Sequence, residues 1–152
     1  MNYYLIDYEN VGSDGLKGIE ALDEQNKVCI FYSSNADKIT FDMHMKLNSS
    51  KASIEFFKAD TGHKNALDFQ LTSYLGWLIH SWADAECKYF IVSKDNGFSS
   101  LIPFWKKHKA GVSLVADVSR QNVQAASRNS QAIANIIISC KMKPLLSDKK
   151  GQ

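Results

Sequence analysis

Asp7 ends the apolar run YYLI at residues 3–6, and Asp95 follows the run KYFIV at 88–92. A third acid, Asp68, stands in KNALDF, four residues after Lys64. Any small polar residue can turn a chain at the end of a buried strand, so a carboxylate at that place calls for a reason. Carboxylates brought to one edge of a sheet repel each other unless a proton or a cation separates them. Hard divalent cations such as Mg²⁺ and Mn²⁺ take several carboxylate oxygens plus water. Asp7, Asp68 and Asp95 are therefore candidate metal ligands if the fold gathers them.

The surrounding elements decide whether it does. Residues 3–6, 27–32, 53–57, 88–92 and 112–116 are short runs of β-branched, aromatic and aliphatic residues and read as strands. Helical spacing is clearest at 64–80, where Leu67, Leu71, Tyr74, Leu75 and Leu78 recur at three- and four-residue intervals. Further helices are expected at 13–23, at 36–47, at 98–109 with Pro103 as a candidate kink, and at 121–139 as a closing helix; SSKAS at 49–53 reads as a loop. Strands alternating with helices predict an α/β fold. Its sheet is parallel, with five or six strands, inside a Rossmann-like three-layer sandwich. With strand order 3-2-1-4-5, strands 1 and 4 are neighbours where the order reverses. The functional crevice of an open parallel sheet lies there, beyond the carboxyl ends of the strands.

Composition agrees with one globular domain. The chain has 152 residues, 45% hydrophobic and 22% charged, enough for a sizeable core. Residues 1–143 are expected to form that domain and 144–152 a flexible tail. No run approaches the roughly 18 apolar residues of a membrane span, so no membrane association is expected. MNYYLID lacks the basic start and apolar block of a signal peptide. Cys29, Cys87 and Cys140 show no paired spacing and suit packing in a reducing cytoplasm. A formal charge of +2 does not announce a nucleic-acid binder, although Lys106, Lys107, Lys109 and the tail lysines are concentrated.

Each acid also has an ordinary reading. Asp7 can cap the turn that follows it, and Asp68 can be the N3 acid of a helix capped by Asn65. Asp95-Asn96-Gly97 can form a hairpin turn. The following FSSLIPFW lacks two-residue alternation, which favours a strand-to-helix loop instead. Taken jointly, the three placements favour a metal site. No Ser or Cys sits in a nucleophile elbow, and no Gly-rich phosphate loop is present. Asp7-Tyr8-Glu9 departs from the Asp-x-Asp of haloacid-dehalogenase-like phosphatases.

LIDYEN at 5–10 resembles the first motif of the PIN-like superfamily, especially its NYN branch. GHKNALDF at 62–69 is similar to its second acidic motif, and SKDNGF at 93–98 to its third. The resemblance spans about residues 3–116. It implies a Mg²⁺- or Mn²⁺-dependent nuclease acting mostly on RNA, with Asp7, Asp68 and Asp95 as metal ligands and Asn10 supporting the site or orienting substrate. Metal-assisted hydrolysis of phosphodiester bonds, endonucleolytic by expectation, is the implied reaction. Lys64 is then placed to meet a phosphate oxygen. Ser93 can donate to substrate or to Asp95, and Asn96 is a further substrate-binding candidate; His63 can reach the cleft, but a lone loop His more often faces solvent.

The sequence departs from the family pattern where Gly97 replaces the second acid of the third motif. Glu9, Asp60 and Asp117 are possible substitutes, each with an ordinary surface reading. Gly97 also keeps open a domain that binds RNA with weak or no catalysis, and a protein-interaction module with structural rim acids is a third reading. RNA, more readily single-stranded, is the expected partner. Substrate choice would come from the cleft, a homodimer mate or a partner protein.

Overall fold

The computed structural model describes residues 1–59, 63, 65–83 and 86–119. Five strands run parallel: β1 (Asn2–Asp7), β2 (Asn26–Tyr32), β3 (Ser53–Lys58), β4 (Lys88–Val92) and β5 (Gly111–Val115). Their order is β3-β2-β1-β4-β5, as the sequence predicts. β1 is central, pairing Leu5 with Cys29 of β2 on one side and with Ile91 of β4 on the other.

The inner strands β1, β2 and β4 carry apolar runs because both faces of the sheet are covered there, while the edge strands β3 and β5 are interrupted by Glu55 and Ser113. Tyr4 and Ile6 of β1 pack with Val28, Ile30, Phe90 and Val92 on one face. Tyr3 and Leu5 point to the other, with Phe31, Tyr89, Ile91 and Val112. The first face is closed by residues of the β1–β2 connection, including Leu16 and Ile19, and by Met43 and Leu47 of α2 (Phe41–Ser49). The second is closed by Leu67, Leu71, Leu75 and Leu78 of α3 (Ala66–Ser81) and by Leu101 and Trp105 of α4 (Leu101–Lys107). Connections before β3 thus cover one face and those after it the other. The switch falls between β1 and β4, and a crevice opens at their carboxyl ends.

Several helices differ from the sequence expectation. The stretch 13–23 is two 3₁₀ turns, Gly12–Leu16 and Ile19–Ala21, preceded by a one-turn helix α1, Tyr8–Val11. Gly12 at φ 54° and Gly18 at φ 90° hold left-handed backbone that a continuous α-helix excludes. The helix expected at 36–47 begins later. Thr40 caps it, its hydroxyl accepting from the Met43 N–H at 3.1 Å, so residues 36–40 remain outside. Ser49 belongs to that helix and Ser53 to β3, which shortens the expected 49–53 loop to 50–52. The 98–109 segment is a 3₁₀ turn, Asn96–Ser100, leading into α4. Pro103 falls in the first turn of α4, where its missing N–H needs no helical partner, so it starts the helix rather than kinking it. The closing helix at 121–139 and the domain end at 143 lie outside the described residues. Among those residues, no helix is long and apolar enough to cross a membrane.

Candidate acidic cleft

Asp7 is the last residue of β1 and is 4% exposed. A carboxylate that buried needs donors, and it has them. The Ser93 hydroxyl donates to Oδ2 at 2.8 Å, and the Asn10 backbone N–H donates to Oδ1 at 3.3 Å. The second of these caps α1, so the ordinary reading of Asp7 and the functional one describe the same carboxylate. Burial pushes its pKa up; the Ser93 hydrogen bond opposes this, and the charges of Asp68 and Glu9 add to the rise.

Ser93 follows β4 and is itself buried. Its oxygen also accepts the Asp95 backbone N–H at 3.1 Å. One hydroxyl therefore joins two of the candidate acids, and its proton points to Asp7 rather than to the cleft. Asn10 makes a second bridge between the same strand ends, its Oδ1 accepting the Lys94 N–H at 2.8 Å. Asp95 heads a strand-to-helix loop, as FSSLIPFW suggests, and its Oδ1 accepts the Gly97 N–H at 2.8 Å.

Asp68 lies in the first turn of α3. Asn65 precedes that helix in left-handed backbone at φ 66° and makes no side-chain cap, so the capping partner expected for Asp68 does not form. Burial raises the Asp68 pKa, followed by the charges of Asp95 and Glu9. Glu9, a possible substitute acid with an ordinary surface reading in the sequence, is exposed and borders the cleft. The Ser33 hydroxyl donates to Oε2 at 2.8 Å and the Asn35 amide to Oε1 at 3.4 Å, which fixes Glu9 at the rim. Ser33 and Asn35 stand just beyond β2, adjacent to β1 only in space. The signal is a pair of small polar residues just beyond the strand that neighbours β1, but strand order alone does not say which side chains pair across that edge.

Asp7, Glu9, Asp68 and Asp95 line one cleft of about 600 Å³, together with Asn10 and His63. His63, read from sequence as solvent-facing, is exposed and borders the same cleft. Asn96 is exposed outside the cleft's described lining, its carbonyl accepting from the Ser99 hydroxyl at 2.6 Å. Asp117 follows β5 and accepts from the Ser119 hydroxyl at 2.7 Å, away from the cleft lining. Lys64 and Asp60 lie outside the described residues. Gly97 carries no left-handed backbone, and a Cβ there would meet Asp95 Oδ1 at 3.2 Å.

Among the described residues no three His, Cys, Asp or Glu side chains form a ready-made ion site. The chemistry of the donor set nevertheless fits a hard divalent cation, since the four carboxylates offer oxygen alone. Asp68 feels Asp95 and Glu9, and Asp7 feels Asp68 and Glu9. A cation would relieve that repulsion, and these are the residues that could hold one.

No match was found among curated proteins or solved structures. A PIN domain family model matches residues 1–115, which contain all five strands and all four cleft acids. PIN domains are generally nucleases with RNA-related functions and typically use divalent metals. By a match that spans most of its length and ends with the last strand of the sheet, the chain belongs to the PIN domain family.

Proposed function

We propose that the protein is a metal-dependent ribonuclease of the NYN type, cutting RNA phosphodiester bonds endonucleolytically in the acidic cleft. The observation that carries this reading is the convergence of Asp7, Glu9, Asp68 and Asp95 on one cleft from separate elements. Structural carboxylates are ordinarily paired with cations. Among the described residues none of these four is in an ion pair; beyond burial, Asp68 and Glu9 raise the cost of ionising Asp7, and Asp95 and Glu9 that of ionising Asp68.

Asp7, Asp68 and Asp95 would hold the ion, with Glu9 offsetting the acid that Gly97 lacks. When bound, Mg²⁺ or Mn²⁺ supplies Lewis acidity at the phosphodiester and neutralises the cleft toward an anionic substrate. The chain's own part is positional. Ser93 and the Asn10 N–H fix the Asp7 carboxylate, and the Asn10 side chain holds the loop that brings in Asp95. Ser33 does the same for Glu9. Ser93 thus acts through Asp7 and Asp95 rather than on RNA directly. Lys64 remains the proposed phosphate partner, on sequence grounds.

The test is cleavage of single-stranded and structured RNA in Mn²⁺, Mg²⁺ or EDTA by the wild type and by Asp7→Asn prepared in parallel. Cleavage is expected with metal only, and Asp7→Asn is expected to lose orders of magnitude in rate while still binding RNA in EDTA. Equal cleavage by the two proteins would place the activity elsewhere. Gly97 favours a second reading, an RNA-binding domain that does not cut. Metal-independent binding without turnover by the wild type would select it.

A further inference from the structure

Helix α3 carries large apolar side chains on both its sides. Its inner side is the buried leucine row that covers the sheet. Its outer side carries Phe69 and Trp77, 68% and 57% exposed. The outward face of a surface helix is normally polar, and large apolar groups left together in water mark a contact surface. On the edge strand β3, Phe57 packs on the α3 side of the sheet, while Phe56, 55% exposed, belongs to the other side and only borders this edge. Between strand and helix lies a groove of about 610 Å³, lined by Phe57, Phe69 and Tyr74, with Lys58 and Gln70 at its border. Tyr74 is held in a ring cluster, its centroid 4.7 Å from Phe57 and 5.4 Å from Trp77. Phe69 also borders a recess of about 270 Å³ that it shares with Asp68 and Asp95. The aromatic groove and the acidic residues are thus joined through one side chain.

We propose that this groove is a stacking shelf for unpaired bases of a single-stranded RNA whose backbone passes into the acidic cleft. The inference rests on the nuclease reading for what happens in the cleft, but it concerns binding, which needs no turnover. Three features select this occupant. The apolar residues of the described lining are all aromatic, with no Leu, Ile, Val or Met, and flat rings suit the π-face that every base presents. Lys58 pairs with no carboxylate among the described residues, which leaves a cation beside the rings for a phosphate. At Phe69 the groove also meets the recess that Asp68 and Asp95 share with the cleft, so a strand stacked there is already next to those two acids. A duplex hides its base faces and cannot use the shelf.

The experiment measures fluorescence anisotropy of a labelled 2′-O-methyl single strand, and of its duplex, with the full chain in EDTA. Phe69→Ala and Phe69→Leu should each raise Kd for the single strand about 5- to 150-fold, the range of one lost base–aromatic stack. Phe69→Tyr should stay near the wild type, and the duplex should bind more weakly than the single strand. Lys58→Ala should lower the slope of log K against log salt by about 0.7, one contact on a single strand. Phe69 is mostly exposed, so unchanged thermal unfolding of its variants separates lost stacking from lost fold. An unchanged Kd in Phe69→Ala, or full binding by Phe69→Leu, overturns the shelf. So does a wild-type dimer that Phe69→Ala dissolves with RNA binding intact, which would give the groove to a second copy. Equal cleavage by the wild type and Asp7→Asn would overturn the cleft reading alone, because the shelf is judged by Phe69 variants without metal.

Discussion

Asp68 shows most directly what the cleft does to a single residue. Its carboxyl pKa is raised above the ordinary 3.8 by burial and then by Asp95 and Glu9, so the folded protein holds that proton more tightly than the unfolded chain. Such a group favours folding while it is protonated. The advantage is lost as pH climbs from the unfolded value through the raised folded one, and above both the ionised group works against the fold. Asp68→Asn should therefore stabilise the metal-free protein at neutral pH, with the gap to wild type closing in acid. Urea unfolding in EDTA at neutral and acidic pH measures this, and a variant less stable at neutral pH would contradict it. Asp7 behaves differently because two donors hold it. An amide at position 7 has one acceptor oxygen and can keep only one of them. Asp7→Asn should thus trade relief of repulsion against a lost hydrogen bond of about 1 kcal/mol, leaving stability little changed while activity collapses.

At the scale of elements, the seam between β1 and β4 is held above the ladder by two links, Ser93 to Asp7 and the Lys94 N–H to Asn10. Ser93→Ala strips a buried carboxylate oxygen and the Asp95 N–H of their shared partner, and should cost about 1–3 kcal/mol in chemical denaturation. It should also raise the Asp7 pKa further, since the Ser93 bond opposes that rise, and move the acid limb of any pH–rate profile upward. A purely structural Ser93 would leave that limb in place. The inner strands β1, β2 and β4 were legible in the sequence because both faces of the sheet are covered there and each carries an apolar run, whereas Glu55 and Ser113 interrupt the edge strands β3 and β5. Helix starts were less so. Thr40 decides one of them through a single hydroxyl, and the positive φ at Gly12 and Gly18 splits what looked like one helix. Asp7, Asp68 and Asp95 could be singled out because they sit at element ends. Glu9 and the orientation of Ser93 depend on partners far along the chain, which no local pattern contains.

For the whole molecule, a cation bound only by the folded cleft must add to global stability by mass action. At a free metal concentration of about 100 times Kd the gain is about 2.7 kcal/mol. Mn²⁺ or Mg²⁺ should accordingly raise the unfolding temperature of the wild type and raise that of Asp7→Asn or Asp68→Asn much less. Equal shifts in all three would mean that the metal binds elsewhere. The contacts that fix the cleft also span the chain, joining residues 86 and 84 positions apart. Synthesis runs from the amino end, and long-range contacts form late. A growing chain therefore emerges with Asp7 already made and only its local donor, the Asn10 N–H, at hand until β4 and the loop after it have cleared the ribosome. Nascent and truncated chains that end before Asp95 therefore lack the assembled cleft, however well their first strands are made.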